Sequence, residues 1–512
     1  MLQTDPRQTE FIDFCLPFGG KLKANNRWIK LAGIVPWEEV EQCYAESLAG
    51  TGMGAPAMSG RIAFGSLIIK ERLGITDEET VEQIVENPYL QYFLGLHQYR
   101  EKPLFDPSMM VRFRSRFSEE HHQRINSRII ELATREREPA SNNDHKDGDD
   151  TDPPNAGKLL VDATCTPADI TYPTDLKLLG EARKKTELYI DHLHAIDIGK
   201  KKKPRTYRRK ARSQHLAVAK QKKPGHKKIR KAIGQQLRYI KRNLGHIDRM
   251  LESGASLDVL SKYELGCLQV IHELYRQQSI MYEERIHTIA DRIVSISQPH
   301  VRPIVRGKSG QKVEFGAKIS VSHLKGGFVV LDVLSWDAYN EGGDLINQIE
   351  GYRERIGHYP ASVHADTIYR TRENRKYCKE LNIRLSGKAL GRPKKQTPEN
   401  KEQIKAERRQ TRRDDLDRIP VEGKFGNAKR KGTLDRIMAK LSHTSESVIH
   451  VGIIVLNLDK WLREAIFWLI VQCAAWLQSP TGLLTPRKQT SRNQNATHSP
   501  LRLLRENDQI TT

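Results

Sequence analysis

Glu422 lies between two cations, with Arg418 four residues before it and Lys429 seven after, in the stretch Arg-Ile-Pro-Val-Glu-Gly-Lys-Phe-Gly-Asn-Ala-Lys. Pro420 suits the first turn of a helix, where its missing N–H costs nothing, and Asp417 is a reasonable N-cap before it. The stretch therefore predicts a helix that starts near Pro420. Seven residues are close to two full turns, so Glu422 and Lys429 share a face of that helix. One carboxylate flanked by two cations is an odd choice for a plain solvated face. It makes sense where the carboxylate holds a metal and the cations hold phosphates.

Two more acids stand at the ends of regular elements. Asp162 interrupts the apolar run Lys158 to Cys165, which reads as a buried strand. An aspartate there is costly unless it is paired or bound to metal. Asp366 ends Ala361-Ser-Val-His-Ala-Asp, a second strand pattern. Three carboxylates can hold two Mg²⁺ (or Mn²⁺) ions about 3.5–4 Å apart for in-line displacement at phosphorus. Arg418 and Lys429 would then neutralise phosphate charge beside the ions. Asp169 and Asp175 could replace Asp162, but neither sits in an apolar strand. Asp332 lies in a strand and suits a structural pair. His364 alternates onto the face of Asp366, where a packed or supporting role fits best.

The elements that must position these acids can be read from periodicity. Residues up to about 135 are helical, with a capping box at Thr76-Asp-Glu-Glu79 and an Asp106-Pro107 start to a later helix. On that later helix Arg112 and Arg116 form a stripe that could face DNA phosphates. After Pro303, Val313 to His323 alternates, Gly326-Gly327 turns, and Phe328 to Leu334 pairs back as a hairpin. A helix over 344–356, the strand ending at Asp366, a helix over 373–381 and a short strand at 383–386 follow. The segment 388–413 reads as charged and mobile.

Charge is concentrated in one place. The 512 residues carry a net +22, and between Lys200 and Arg249 there are twenty Lys and Arg against Asp248 alone. So local an excess points to a polyanion, here DNA. Its densest part holds Lys201, Lys202, Arg205, Arg208, Arg209 and Lys210. Ile233, Leu237, Ile240, Leu244, Ile247 and Leu251 then recur at heptad-like spacing, which predicts a helical hairpin behind the basic edge. The acidic, apolar-poor stretch 136–157 reads as a disordered linker, and its aspartates lack the glutamate that closes a calcium loop. No Cys-x-x-Cys pair suggests a zinc ribbon. Charges interrupt the first residues where a signal peptide would be apolar. Ala465 to Leu477 is shorter than the ~18–20 residues that span a bilayer, so no membrane role is expected.

Arg418, Glu422 and Lys429 match in type and spacing the signature Tyr, two residues, Arg, three, Glu, six, Lys; Asp415 takes the tyrosine position. The segments Val-Asp162-Ala-Thr and His-Ala-Asp366-Thr add to this, as do Asn87-Pro-Tyr-Leu-Gln-Tyr-Phe93, Phe105-Asp-Pro-Ser108 and Arg112-Phe-Arg114. On these residues the chain resembles the DDE transposases of bacterial insertion sequences. The order of strands and helices is similar to a ribonuclease H-like domain, an α/β fold with a mixed five-stranded sheet. The resemblance implies an N-terminal helical DNA-binding domain (1–135), the linker (136–157), and a catalytic domain begun at 158–177. Charge and periodicity add a basic helical insertion (178–300), placed after the first strand, whereas many relatives have theirs before the glutamate helix; the rest of the catalytic domain with C-terminal helices (301–480) and a disordered tail (481–512) follow. The resemblance implies Asp162, Asp366 and Glu422 as metal-binding catalytic residues, and a homodimer that cuts and joins DNA at terminal inverted repeats. It also implies a cytoplasmic, nucleoid-associated enzyme. A nuclease that cuts without joining, and an inactive DNA-binding descendant, are the competing readings.

Overall fold

The computed structural model describes residues 14–16, 20–48, 56–135, 155–197, 202–305, 313–387, 391, 397–398 and 400–478. Nearly all of the acidic linker, the C-terminal tail and Lys201 lie outside the described residues, as do the side chains from 465 onward. Among the described residues seven helices come first: α1 (Arg27–Ile34), α2 (Trp37–Glu46), α3 (Gly60–Leu73), α4 (Asp77–Glu86), α5 (Pro88–Phe93), α6 (Met109–Arg116) and α7 (Glu119–Arg135). Strand β1 (Lys158–Pro167) leads into α8 (Asp175–Asp197), α9 (Arg208–Ala219), α10 (His226–Glu252) and α11 (Lys262–Glu284). The chain then forms β2 (Arg302–Val305), β3 (Val313–His323), β4 (Val329–Ser335), α12 (Leu345–Ile356), β5 (Ser362–His364), α13 (Arg372–Glu380) and β6 (Arg384–Leu385). Two long helices follow among the described residues, α14 (Lys401–Lys431) and α15 (Ser442–Gln478).

The six strands make one mixed sheet in the order β2-β3-β1-β5-β6, with β4 on β3. The β1–β3 and β3–β4 pairs are antiparallel, and β1–β5 and β5–β6 are parallel. The expected hairpin, helices and strands between 313 and 386 are all present, and β2 is an additional strand. Gly316 lets β3 close on β1, because a Cβ there would fall 2.1 Å from the Thr166 carbonyl oxygen. The β3–β4 register shifts between Ser320 and Val321, and Val321 pairs with Asp162 across β1. Such irregularities re-aim side chains next to functional sites.

Alternation along β1 sorts its residues between two faces. Leu159 and Val161 join a core that runs without a break from Phe14 through α1–α7, α12 and β5 to Trp461 and Leu462 of α15. The helices before residue 135 thus share the core of the sheet. Three polar groups tie this junction: the Asn457 side chain accepts from the Val329 N–H at 2.9 Å, and the Asn126 and Asn457 amides donate to the Val329 carbonyl at 3.1 and 2.7 Å. Arg72 of α3 pairs with Asp459 of α15 at 2.8 Å.

The insertion has a core of its own. Leu237, Ile240, Leu244 and Ile247 of α10 are buried there with Leu179, Ile190 and Leu193 of α8 and Ile271 and Leu274 of α11. The expected two-helix hairpin is corrected to four helices, with α10 packed on α8 as well as on α9 and α11. The heptad-like residues face α8 as well as the second helix of the expected hairpin, α11. No helix among the described residues is long and apolar enough to cross a membrane.

The predicted start of a helix at Pro420 is also corrected. Pro420 lies inside α14, which begins at Lys401, so 401–413 is helical. A proline removes one backbone donor, here the bond back to Leu416, at a cost of about 3 kcal/mol. Contacts on the strand side accompany the proline turn. The Asp414 carboxylate is buried and accepts from Arg384 of β6 at 2.8 and 3.0 Å. Asp417, read as an N-cap, instead pairs with Lys158 of β1 at 2.7 Å.

Candidate active site

Parallel pairing sets the first two acids side by side. Leu160 of β1 stands level with His364 of β5. Asp162 follows Leu160 by two residues within β1, and Asp366 follows His364 by two residues, just beyond the end of β5, where its charge acts on Asp162. The third acid comes from α14, which crosses these strands. Lys429 Nζ donates to Thr164 Oγ1 at 3.1 Å and to the Cys165 carbonyl at 2.7 Å, and this fixes the helix on β1. Arg418 pairs with Asp366 at 2.9 Å. Glu422, one turn beyond Arg418, is thereby held over the same end of the strands.

Asp162, Asp366, Arg418, Glu422 and Lys429 all line one cleft of about 960 Å³. Burial raises the Asp162 pKa to about 6; the Ala163 N–H, donating at 2.9 Å, opposes the rise, and the charges of Asp366 and Glu422 add to it. A carboxylate that two neighbouring carboxylates hold up, in a cleft edged by Arg418 and Lys429, is a site waiting for positive charge. The donors are all oxygen, come from three separate elements and have open space before them. They fit hard divalent ions.

Several other cleft residues escaped the sequence reading. Lys318 of β3 donates to the Tyr339 carbonyl at 2.7 Å and is paired with Glu341, and both side chains line the cleft. Tyr369 lies just past Asp366, and burial raises its hydroxyl pKa. Their partners are far apart in sequence and no spacing links them. Asp169 pairs with Arg436 at 2.8 Å, and Asp175 accepts from Arg292 and Gln278 at 2.7 and 2.8 Å. Neither lines the cleft. Asp332 accepts from Gln348 at 3.0 Å and lies 3.7 Å from Arg355, a structural arrangement.

The candidate phosphate cations divide. Lys202, Arg205, Arg209 and Lys210 are exposed on the segment leading into α9 and on α9 itself. Arg208 is exposed too but grips Asp191 at 3.0 and 2.7 Å. On α6 Arg112 is exposed, whereas Arg116 stacks on the Tyr44 ring and donates to its hydroxyl.

Residues 363–459 match the family model described as Transposase DDE domain, and residues 17–116 match Transposase domain (DUF772). Both matched families are transposase domains, one on each side of the insertion. The first match spans β5 to α15 and so contains Asp366, Arg418, Glu422 and Lys429, while Asp162 precedes it. The insertion α8–α11 falls in neither match. The chain is also 26% identical over 195 residues to a protein of Rhizobium meliloti named "Uncharacterized protein ORF8 in nfe locus", covering 38% of the chain and 86% of that relative. No solved structure matches it.

Proposed function

We propose that this insertion-sequence transposase binds the terminal inverted repeats of its element, cuts them and joins the freed 3′ ends to target DNA at the cleft formed by Asp162, Asp366 and Glu422. The observation that carries the reading is the convergence of the three acids on one cleft: Asp162 on β1, Asp366 just past the neighbouring parallel strand β5, and Glu422 on a helix bonded to Asp366 through Arg418 and to β1 through Lys429. A sheet in which β1 pairs antiparallel with β3 and parallel with β5, with one acid within β1 and another just past β5, supports a ribonuclease H-like assignment. The three carboxylates would hold two Mg²⁺ or Mn²⁺ ions, which when bound would activate the attacking hydroxyl and steady the leaving oxygen.

The chain's own residues do the rest. Arg418, paired with Asp366 before DNA enters, orients that carboxylate and turns its remaining donors toward a phosphate. Lys429 holds α14 at the depth where Glu422 meets Asp162, and adds positive charge beside the scissile bond. The exposed cations of the insertion and Arg112 of α6 track the DNA backbone, which makes binding fall steeply with salt. A homodimer on two ends belongs to this reading, with its contacts outside the α10 stripe that the insertion core uses. The test is a strand-transfer assay with precut repeat ends and Mg²⁺. Joined product is expected; nicked product that never becomes joined would sink transposition in favour of a nuclease.

A further inference from the structure

We propose that His364, Asp414 and Asp417 form a second divalent-cation site, selective for borderline transition ions such as Zn²⁺ and Co²⁺, on the protein side of the carboxylate cleft. Among the described residues these three form a group whose donor atoms all lie within 4.8 Å of one another. His364 is fully buried on β5, and its Nδ1 faces Asp414 at 3.8 Å and Asp417 at 3.9 Å. Those separations are too long for hydrogen bonds. The Nδ1 atom is buried without a hydrogen-bond partner. On the other side of the ring, Nε2 lies 3.0 Å from Ser362 Oγ. With the proton on Nε2 and donated to Ser362, Nδ1 presents a bare lone pair to two carboxylates. That arrangement is repulsive unless a cation sits between them. Ligands on a tetrahedral ion with bonds near 2.0–2.1 Å are separated by about 3.4 Å, so only a small contraction is needed.

The charges around the cluster leave it open to an ion. Arg384 and Lys158 balance the two carboxylates, but they are 43% and 54% exposed. Both can swing into water when an ion enters, since exposed ion pairs are weak. Asp417 is itself part-exposed and offers the entry path. Ligand chemistry then sets selectivity. An imidazole beside two carboxylates suits Zn²⁺, Co²⁺ or Mn²⁺ and is a poor match for Mg²⁺, which prefers oxygen and retains its water. The cleft of Asp162, Asp366 and Glu422 offers oxygen alone. The chain thus holds two sites of different softness, with His364 two residues before Asp366 and Asp417 five residues before Glu422 on α14. An ion at the second site would tie α14 to β5 next to Arg418 and Asp366, and it would do so whether or not the chain cuts DNA.

The test uses the full-length chain carrying Asp162→Asn and Glu422→Gln, which strips donors from the cleft. Co²⁺ alone is titrated without DNA, read by its visible d–d absorption and by equilibrium dialysis. One Co²⁺ per chain is expected, displaced by equimolar Zn²⁺ but not by a hundredfold excess of Mg²⁺. Adding His364→Gln or Asp417→Asn should weaken binding at least about tenfold. Asp417→Asn changes a part-exposed position, so it keeps the measurement meaningful if the buried His364 variant misfolds. No bound Co²⁺, or an affinity that neither variant changes, would overturn the site. Because the cleft is silenced throughout, the result does not depend on the proposed transposition.

Discussion

The sheet with its helical cover and the basic insertion are built on opposite plans. The first gathers helices from both ends of the chain around one core, from Phe14 to Leu462, so that the acids ride on a unit closed by α15. The second closes its own core from α8, α10 and α11 and turns its cations outward. The difference teaches where precision is needed. Three carboxylates must be held to within a fraction of an ångström, which calls for strands and long-range packing. A surface that follows a phosphate backbone needs density of charge, which an independent helical module can supply.

This contrast can be broken by core substitutions. Phe64→Ala, at a fully buried position of α3 against Phe117, should cost about 3–5 kcal/mol and raise amide exchange across the sheet as well as the N-terminal helices. Ile271→Ala, equally buried in α11, should cost about 2–5 kcal/mol with the added exchange confined to the insertion. If Ile271→Ala loosens β1–β6 to the same degree, the two regions are one unit.

A smaller effect concerns the insertion alone. Replacing Lys202, Arg205, Arg209 and Lys210 together by Gln should lower the salt dependence of DNA binding by about 3–4 in the log–log slope and leave the melting temperature close to the parent's. Arg208→Gln should change that slope by less, because its guanidinium is already paired with Asp191. Equal slopes for parent and quadruple variant would remove the insertion from the DNA surface.

The smallest effect sharpens the closure of the first region. His122 of α7 stacks on His450 of α15 with ring centres 5.2 Å apart. Burial holds their pKa values down, to about 3 and about 4, from the ordinary 6.5. The neighbours act in opposite directions: the charge of His450 lowers His122 further, the Ser118 carbonyl raises it, and Glu446 raises His450. Both folded values lie below the unfolded one, so the unfolded chain binds more protons between pH 6.5 and about 3–4. Stability should therefore be complete above pH 6.5 and fall as the pH drops through that window. His450→Gln should flatten the fall seen in melting temperature between pH 7 and 5; an unchanged slope would place the acid sensitivity elsewhere.

Much of the site was legible because its determinants are local. Asp162 and Asp366 each interrupt or end an apolar alternation, and strand order then places them side by side. Arg418, Glu422 and Lys429 are related by helical spacing alone, so they share a face wherever the helix begins. What the sequence concealed depends on partners. Pro420 read as a helix start because proline is usually found there; the bonds of Asp414 to Arg384 and of Asp417 to Lys158 carry the helix past it. The α10 stripe read as one half of a hairpin with the helix that follows it, and only the fold adds α8 to the same core. The acidic segment after α7 looks like a domain boundary, yet the core crosses it, since hydrophobic content does not record which elements meet. His364 looked like a packed histidine until two carboxylates from α14 were found beside it.

The central claim is that Glu422 acts with Asp162 and Asp366 on DNA phosphates. Glu422→Gln keeps the shape of the side chain and removes its charge. With repeat-end DNA and Mg²⁺, the account predicts that cleavage and joining fall by at least about a thousandfold while DNA affinity stays within about twofold of the parent. Parent-like cleavage by the Glu422→Gln chain would contradict it.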